Sequence, residues 1–164
     1  MAECKNIMVY VETAEGNPVK VGLEMLSPAK KLADKVTAVV IGGGVADAAK
    51  EVAKAGADQV ICVDSEDYKE FNLDAYAQVL VELVKEENPE AVFVGGTQDG
   101  KDIAPVVAAK CNTGCASDVL DIKAEDGEVI YTCPLYGGTV LEDVKIKTTP
   151  QIATLRSGAF QKVE

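Results

Sequence analysis

A glycine-rich turn is the part of this sequence best suited to bind a ligand. Residues 91–94 are apolar, two glycines follow them, and a helical pattern begins near residues 99–102. Strand, turn and helix in this order place the turn at the carboxyl end of a parallel strand, where α/β proteins usually bind ligands. Gly95 and Gly100-Lys101 also have the G-x-x-x-x-G-K spacing of a phosphate-binding loop, in which backbone N–H groups and the lysine surround the phosphates.

Two features of this turn argue against a nucleoside triphosphate. Asp102 stands where a phosphate-binding loop needs a Ser or Thr hydroxyl for Mg²⁺. Asp99 and Asp102 would place negative charges beside the phosphates, whereas both suit the N-cap or first turn of a helix. Pro105 is compatible with a helix that begins only a residue or two before it. A structural turn is therefore the favoured interpretation.

A phosphate or adenine-nucleotide site at the same turn is the alternative interpretation. Its cofactor-binding residues would be Gly95, Gly96, Thr97, Gln98, Gly100 and Lys101. A second glycine run at residues 42–44 precedes another helical pattern, but Asp47 stands where a dinucleotide fingerprint needs its third glycine. That run is expected to form a tight turn.

The residue types needed for hydrolysis or metal binding are missing or badly spaced. The sequence has no histidine, which is the commonest general base and the usual partner of a nucleophile. Cys111 and Cys115 are separated by three residues, but no second pair completes a metal site. Cys62 lies in an apolar strand pattern and is expected in the core. No metal site is predicted.

The charge balance is acidic, with a net charge of −11 over 164 residues and 26% charged residues. Nucleic acids and anionic membranes both attract basic surfaces, so neither is an expected partner. No window approaches the roughly 18 consecutive apolar residues of a membrane helix. A strand pattern begins almost at once, so we expect no signal or transit peptide and a cytoplasmic location.

Strand and helix patterns alternate through the first two thirds of the sequence. Strands are predicted at residues 6–11, 36–41, 59–63 and 91–94. Helices are predicted at residues 21–34 and 45–55, from the cap Asn72 to a stop at Asn88-Pro89, and after the glycine turn. Ser27-Pro28 interrupts the first helix, either as its cap and first residue or as a kink.

The pattern changes after Cys111 to short alternating strands. Residues 119–122 and 129–133 flank Glu125-Asp126-Gly127 and predict a hairpin, with further strands at residues 139–146 and 151–155. The prediction is one α/β domain over residues 1–164, with a doubly wound, mostly parallel sheet, helices on both faces, and antiparallel strands at the C-terminal edge.

Four segments, in order, resemble one protein family. Residues 95–108 are similar to the pattern G-x-T-x-x-G-[KR]-[DN]-x-A-P-x-x-A, and residues 55–64 to a G-A-D-x-V strand. Residues 136–138 match a late glycine break, and residues 150–160 are similar to P-Q-M-A-T-x-R-x-G-x-F. Together they resemble the N-terminal domain of the alpha subunit of electron-transfer flavoproteins, over about residues 6 to 160. Asp99 and Val106 depart from the family pattern, which usually has an apolar residue and often an arginine there.

The resemblance implies a scaffold rather than an enzyme. In that family the alpha subunit pairs with a beta subunit, holds FAD between its second domain and the beta subunit, and passes electrons from flavin-dependent dehydrogenases to acceptors. The first domain has an adenine-nucleotide alpha-hydrolase-like fold and packs under the flavin domain. This implies no catalytic residue and no cofactor in this chain alone, with FAD in the full-length family member.

The sequence stops four residues after Phe160, where the family continues into its FAD-binding domain. We expect an excised domain rather than a protein that naturally lacks its flavin half. Arg156 and Phe160 are candidates for a subunit or interdomain contact, because arginine and aromatic residues are enriched at interfaces. The equally weighted alternative is edge packing for Leu155 and Phe160 and a solvated charge for Arg156.

Overall fold

The computed structural model describes residues 4–162 and contains a six-stranded parallel sheet with helices on both faces. The strands are β1 (Cys4–Tyr10), β2 (Thr13–Ala14), β3 (Asn17–Pro18), β4 (Ala33–Gly42), β5 (Gln59–Asp64), β6 (Ala91–Gly95), β7 (Cys115–Val119), β8 (Asp121–Glu125), β9 (Glu128–Leu135), β10 (Val140–Val144) and β11 (Gln151–Leu155). The helices are α1 (Lys20–Glu24), α2 (Leu26–Leu32), α3 (Ala46–Lys54), α4 (Leu73–Glu87) and α5 (Gln98–Lys110).

The parallel sheet has the strand order β5-β4-β1-β6-β11-β7. Side chains of β1 alternate between two buried clusters: Ile7 and Val9 face α1, α2 and α3, while Met8 and Tyr10 face α4 and α5. Burial on both faces explains the continuous apolar strand patterns. The predicted doubly wound α/β fold is confirmed. Within residues 4–162, no helix is long and apolar enough to cross a membrane.

The sequence signals at both ends of α4 are confirmed. The side-chain oxygen of Asn72 accepts a hydrogen bond from the Ala75 N–H at 3.0 Å, which satisfies one of the orphan donors of the first turn. Asn88 ends the helix in the left-handed conformation, with φ of 47°. Asparagine tolerates this conformation better than most residues.

The first helical segment differs from its prediction. It breaks at Met25, which is the C-cap of α1 and the N-cap of α2. Of the two interpretations of Ser27-Pro28, the N-cap was wrong, and the interruption of the helix lies two residues before Ser27. Strand β4 also begins at Ala33, three residues before the predicted start, because Ala33 pairs with Cys4 in β1. Pairing with a neighbouring strand is a long-range property that the local helical pattern does not contain.

The prediction that Cys62 is a core residue was also wrong, since its side chain is exposed. Cys62 lies in β5, which pairs only with β4 at the edge of the parallel sheet within the described residues. An edge strand covered on one face has an exposed residue at alternate positions, even where its sequence is apolar.

The antiparallel strands form a sheet of their own, in the order β10-β9-β8, beside the edge strand β7. The predicted hairpin is present: β8 and β9 are joined at Asp126 and Gly127, whose φ angles are 52° and 78°. The predicted strand at residues 119–122 is divided at Leu120, whose N–H donates to the carbonyl of Thr132. Strand β11 instead joins the parallel sheet between β6 and β7.

The separate sheet packs on the same face of the parallel sheet as α1, α2 and α3. Tyr131 of β9 lies edge-on to Phe93 of β6, with ring centroids 6.4 Å apart. The Tyr131 hydroxyl donates to the side-chain oxygen of Gln151 at 2.9 Å, so this buried polar group is satisfied.

Candidate functional site

The direction of strand addition reverses next to β1, which creates a crevice at the carboxyl ends of β1 and β6. Strands β4 and β5 follow one another on one side of β1, whereas β6 lies on the other side. Ligands of open α/β sheets usually bind at such a reversal. Glu12 follows β1, and the glycine turn follows β6.

Each glycine of the turn is required by close packing within the protein. A Cβ atom on Gly100 would lie 1.8 Å from the carbonyl oxygen of Gly95, and one on Gly95 would lie 2.6 Å from a methyl group of Val21. A Cβ on Gly96 would lie 2.9 Å from the carbonyl oxygen of Leu155, to which the Gly96 N–H donates at 2.7 Å. This packing accounts for the glycines without a ligand.

Helix α5 begins earlier than the sequence pattern predicts. Its N-cap is Thr97, whose side-chain oxygen accepts a hydrogen bond from the Gly100 N–H at 3.0 Å. Asp99 lies in the first turn, as one of its two interpretations predicts, but neither aspartate is the N-cap. Pro105 lies seven residues after Gln98, so the expectation that it stands close to the helix start was wrong. The missing N–H of Pro105 leaves one helical hydrogen bond unmade, and its ring is exposed.

Glu12 and Thr97 join the two sides of the crevice. The Thr97 hydroxyl donates to a carboxylate oxygen of Glu12 at 2.5 Å, and Asp99 lies nearby. Burial raises the pKa of Glu12, the hydrogen bond from Thr97 opposes this, and the negative charge of Asp99 adds to the rise. Burial also raises the pKa of Tyr10 beyond its ordinary range, with a further contribution from Glu12. The crevice is therefore unfavourable for additional negative charge.

The pocket between Glu12 and Asp99 has a volume of about 30 Å³ and is also lined by Tyr10 and Tyr76. A neighbouring pocket of about 270 Å³ shares Tyr76 with it. The smaller pocket holds about one water molecule. A flavin dinucleotide needs a far larger cavity, and its diphosphate would face two carboxylates there. The residues of this small pocket do not fit FAD.

The structure brings the six residues of the predicted nucleotide site together on one turn and the start of α5. Three of the N–H groups there already donate within the protein: Gly96 to Leu155, and Gly100 and Lys101 to Thr97. The side chains of Gln98 and Lys101 are exposed. A nucleotide at this turn stays a prediction.

Arg156 and Phe160 lie on one segment that follows β11. The Arg156 guanidinium forms a two-pronged contact with Asp118, in which Nε lies 3.0 Å from Oδ1 and Nη2 donates to Oδ2. This hydrogen bonding lowers the pKa of the Asp118 carboxyl, partial burial opposes the shift, and the positive charges of Arg156 and Lys101 reinforce it. Phe160 is half-buried against the core and lines an open groove of about 620 Å³ beside α2 and β8. A role for either residue at an interface stays a prediction.

The sequence pattern missed an exposed apolar surface on the separate sheet. We call it the β10 patch, and it consists of Leu135, Tyr136, Val140 and Leu141, which are 38%, 84%, 46% and 60% exposed. The alternation at residues 139–146 indicated a half-buried strand. Only the tertiary structure shows that residues 140–143 of β10 are all exposed.

The fold defines the class of the protein: a Rossmann-like α/β domain with a parallel sheet of reversed strand order and an appended antiparallel sheet. Comparison with known families identifies the family within this class. Residues 7–164 match the model of the electron transfer flavoprotein domain, and the chain therefore belongs to the electron transfer flavoprotein family. The suspected family is confirmed.

The chain is similar to several curated proteins. It is 37% identical to Protein FixB of Clostridium saccharobutylicum, over 99% of the chain and 51% of that protein. It is 36% identical to an electron transfer flavoprotein subunit alpha of Clostridium acetobutylicum, over 99% of the chain and 50% of the relative. It is 32% identical to an acryloyl-CoA reductase electron transfer subunit beta of Anaerotignum propionicum, over 98% of the chain and 52% of the relative. The chain spans about half the length of these curated relatives.

Proposed function

We propose that this chain is the N-terminal scaffold domain of an electron transfer flavoprotein alpha subunit. It would support pairing with a beta subunit and hold the FAD-binding domain during electron transfer from flavin-dependent dehydrogenases. On this proposal the chain has no catalytic residue and holds no FAD by itself, and it works in the cytoplasm. Membership of the family and the subunit names of the relatives support an assembly role.

The observation that carries the assembly role is the β10 patch. Strand β10 pairs with β9 alone within residues 4–162, and residues 140–143 are exposed on both faces of the strand. A strand at a sheet edge with uncovered apolar side chains on both faces is unfavourable in water. A partner subunit that covers the patch removes this cost.

The chemistry of the patch suits a protein partner with basic residues around an apolar centre. Tyr136 is the most exposed of its four apolar residues, and tyrosine is enriched at the centres of interfaces. Glu142 and Asp143 are exposed in the same strand, and the whole chain carries a net charge of −11. Complementary charge at the rim of an interface favours the correct partner and speeds association.

Replacement of Leu141 by Asp tests this surface. The chain is mixed with an electron transfer flavoprotein beta subunit, and the dissociation constant is measured by calorimetry, with the mass of the complex from light scattering. We expect the native chain to form a one-to-one complex and the Leu141→Asp variant to bind at least roughly tenfold more weakly, as for loss of an interface hot spot.

The matched control is Ala46→Asp, which adds the same charge at an exposed position in the first turn of α3, away from β10. This control should bind like the native chain, because an aspartate suits the first turn of a helix. Equal binding by the Leu141→Asp variant would refute the proposed surface. One flavin per purified chain, detected by absorbance, would refute the flavin-free part of the proposal.

The second proposal is a free-standing adenine-nucleotide or phosphate binder that uses Thr97, Gln98 and Lys101. The position of this turn at the strand-order reversal favours it. The internal hydrogen bonds of the turn and the neighbouring Glu12 and Asp99 weigh against it. Calorimetry with AMP and with ATP tests this proposal, and no heat at millimolar ligand would exclude it.

A further inference from the structure

Glu24 is a buried carboxylate that the proposed function does not use. Glu24 lies in the short helix α1 and is only 3% exposed. A buried charge is costly unless it has an opposite charge and hydrogen bonds nearby. Lys20, one helical turn earlier, places its Nζ 3.2 Å from Oε1 of Glu24. The other oxygen, Oε2, accepts a hydrogen bond from the Gly158 N–H at 2.8 Å.

Gly158 lies in the turn that follows β11, the strand of the parallel sheet that comes last in sequence. The turn is closed by a hydrogen bond from the Ala159 N–H to the carbonyl of Arg156, and Gly158 has a φ of 79°. Nothing lies within 4 Å of a Cβ placed on Gly158, so its conformation, not the available space, requires a glycine there. Glu24 therefore binds the backbone of a turn 134 residues away in sequence.

Several contacts hold this turn on the domain, and the first is a hydrogen bond from the Arg156 N–H to the carbonyl of Val119 at 3.0 Å. Arg156 contacts Asp118 at its start, Glu24 binds the amide of Gly158 in its middle, and Phe160 packs against the core at its end. In the contact with Glu24, a buried carboxylate accepts a hydrogen bond from a backbone N–H. Such charge-assisted bonds are among the stronger hydrogen bonds in proteins. The path of the chain beyond β11 therefore depends on a side chain of the first helix.

We infer that Glu24 is a positioning residue that fixes the turn after β11 and, through it, the direction in which the chain continues past Phe160. The anchoring is a property of the described residues alone. Its consequence rests on the proposed function: a following FAD-binding domain would be oriented by this turn. Loss of the anchor would then leave the domain intact but loosen whatever follows it.

Hydrogen exchange of the Gly158 amide, followed by NMR on the 164-residue chain, tests the anchor. Glu24→Ala removes the acceptor, so the Gly158 amide should exchange at least roughly tenfold faster, while amides of β6 keep their native rates. Glu24→Gln retains an acceptor oxygen on a side chain of the same length, so the Gly158 amide should keep most of its protection from exchange. Glu24→Asp, which shortens the side chain by one methylene, should show fast exchange even if the alanine variant does not fold.

Native exchange at Gly158 in the Glu24→Asp variant would overturn the inference, as would equal acceleration at Gly158 and in β6, which indicates general destabilisation. Binding of the beta subunit is measured on the same variants. If the native chain does not bind the beta subunit, the proposed function is refuted, but the exchange measurement at Gly158 can still be interpreted. If the native chain binds the beta subunit and the Glu24 variants show native exchange at the Gly158 amide, only the anchor is refuted.

Discussion

Replacement of Gly100 by Ala is expected to destabilise the domain, although alanine is the better helix former. Gly100 lies in the first turn of α5, where alanine would add about 1 kcal/mol of helix propensity. The new Cβ would lie 1.8 Å from the carbonyl oxygen of Gly95. That oxygen belongs to the backbone of β6, so it cannot rotate away, and the start of α5 must move from the end of the strand.

The magnitude follows from these opposing effects. Overpacking in a well-packed core costs about 1–3 kcal/mol and occasionally more, and a clash with backbone lies at the upper end of that range. After subtraction of the propensity gain, the free energy of unfolding should fall by about 2 kcal/mol. For a domain of this size the melting temperature should fall by about 4–8 °C.

Urea unfolding followed by far-ultraviolet circular dichroism measures the change, since the sequence has no tryptophan for fluorescence. The control is Gly114→Ala, whose Cβ would make an ordinary 3.4 Å contact with a methyl group of Ile146. Its free energy of unfolding should stay within about 0.5 kcal/mol of the native value. A Gly100→Ala variant as stable as this control would refute the packing explanation of the turn.

Two further predictions concern titration and reactivity. Arg156 lowers the pKa of Asp118, so the pair stabilises the fold fully above about pH 4, and this contribution disappears as pH falls through the lowered pKa. The Asp118→Asn variant should therefore be less stable than the native protein at pH 7 but approach it near pH 2; unfolding measured at both values checks this, and a constant difference would contradict it. Cys62 should be the first thiol to react with a disulfide reagent in the folded protein, because it is exposed, whereas Cys111 and Cys115 are half-buried and Cys4 and Cys133 are buried. Partial burial and Asp64 raise the pKa of Cys62, so its rate of reaction should increase with pH, and Cys62→Ser should abolish the fast phase. A fast phase that survives this substitution would show that another thiol is the most reactive one and would contradict the prediction.

Local signals predicted much of the fold correctly. Helix α4 begins and ends where Asn72 and Asn88 indicate, because capping depends on hydrogen bonds between residues a few positions apart. The hairpin between β8 and β9 follows Asp126-Gly127 for the same reason. Pro105 shows the limit of such signals, since its place deep within α5 was not predicted.

The candidate site was predicted only as a segment. The glycine spacing identified the turn after β6, but it did not show that Gly100 packs on Gly95 or that Thr97 binds Glu12. Residues 12 and 97 are far apart in sequence, and their contact exists because β1 and β6 are neighbours in the sheet. The geometry of the crevice therefore depends on strand order, which local patterns do not specify.

By itself, the sequence determined the alternation of strands and helices, their capping and the resemblance to a family, because these are properties of short segments and of their order along the chain. Only the tertiary structure decided that β5 is an edge strand with Cys62 exposed, that β11 lies between β6 and β7, and that the β10 patch is uncovered. Exposure depends on which elements become neighbours across long separations in sequence. The buried Glu24 illustrates this, since the residue whose amide it binds lies 134 positions further along the chain.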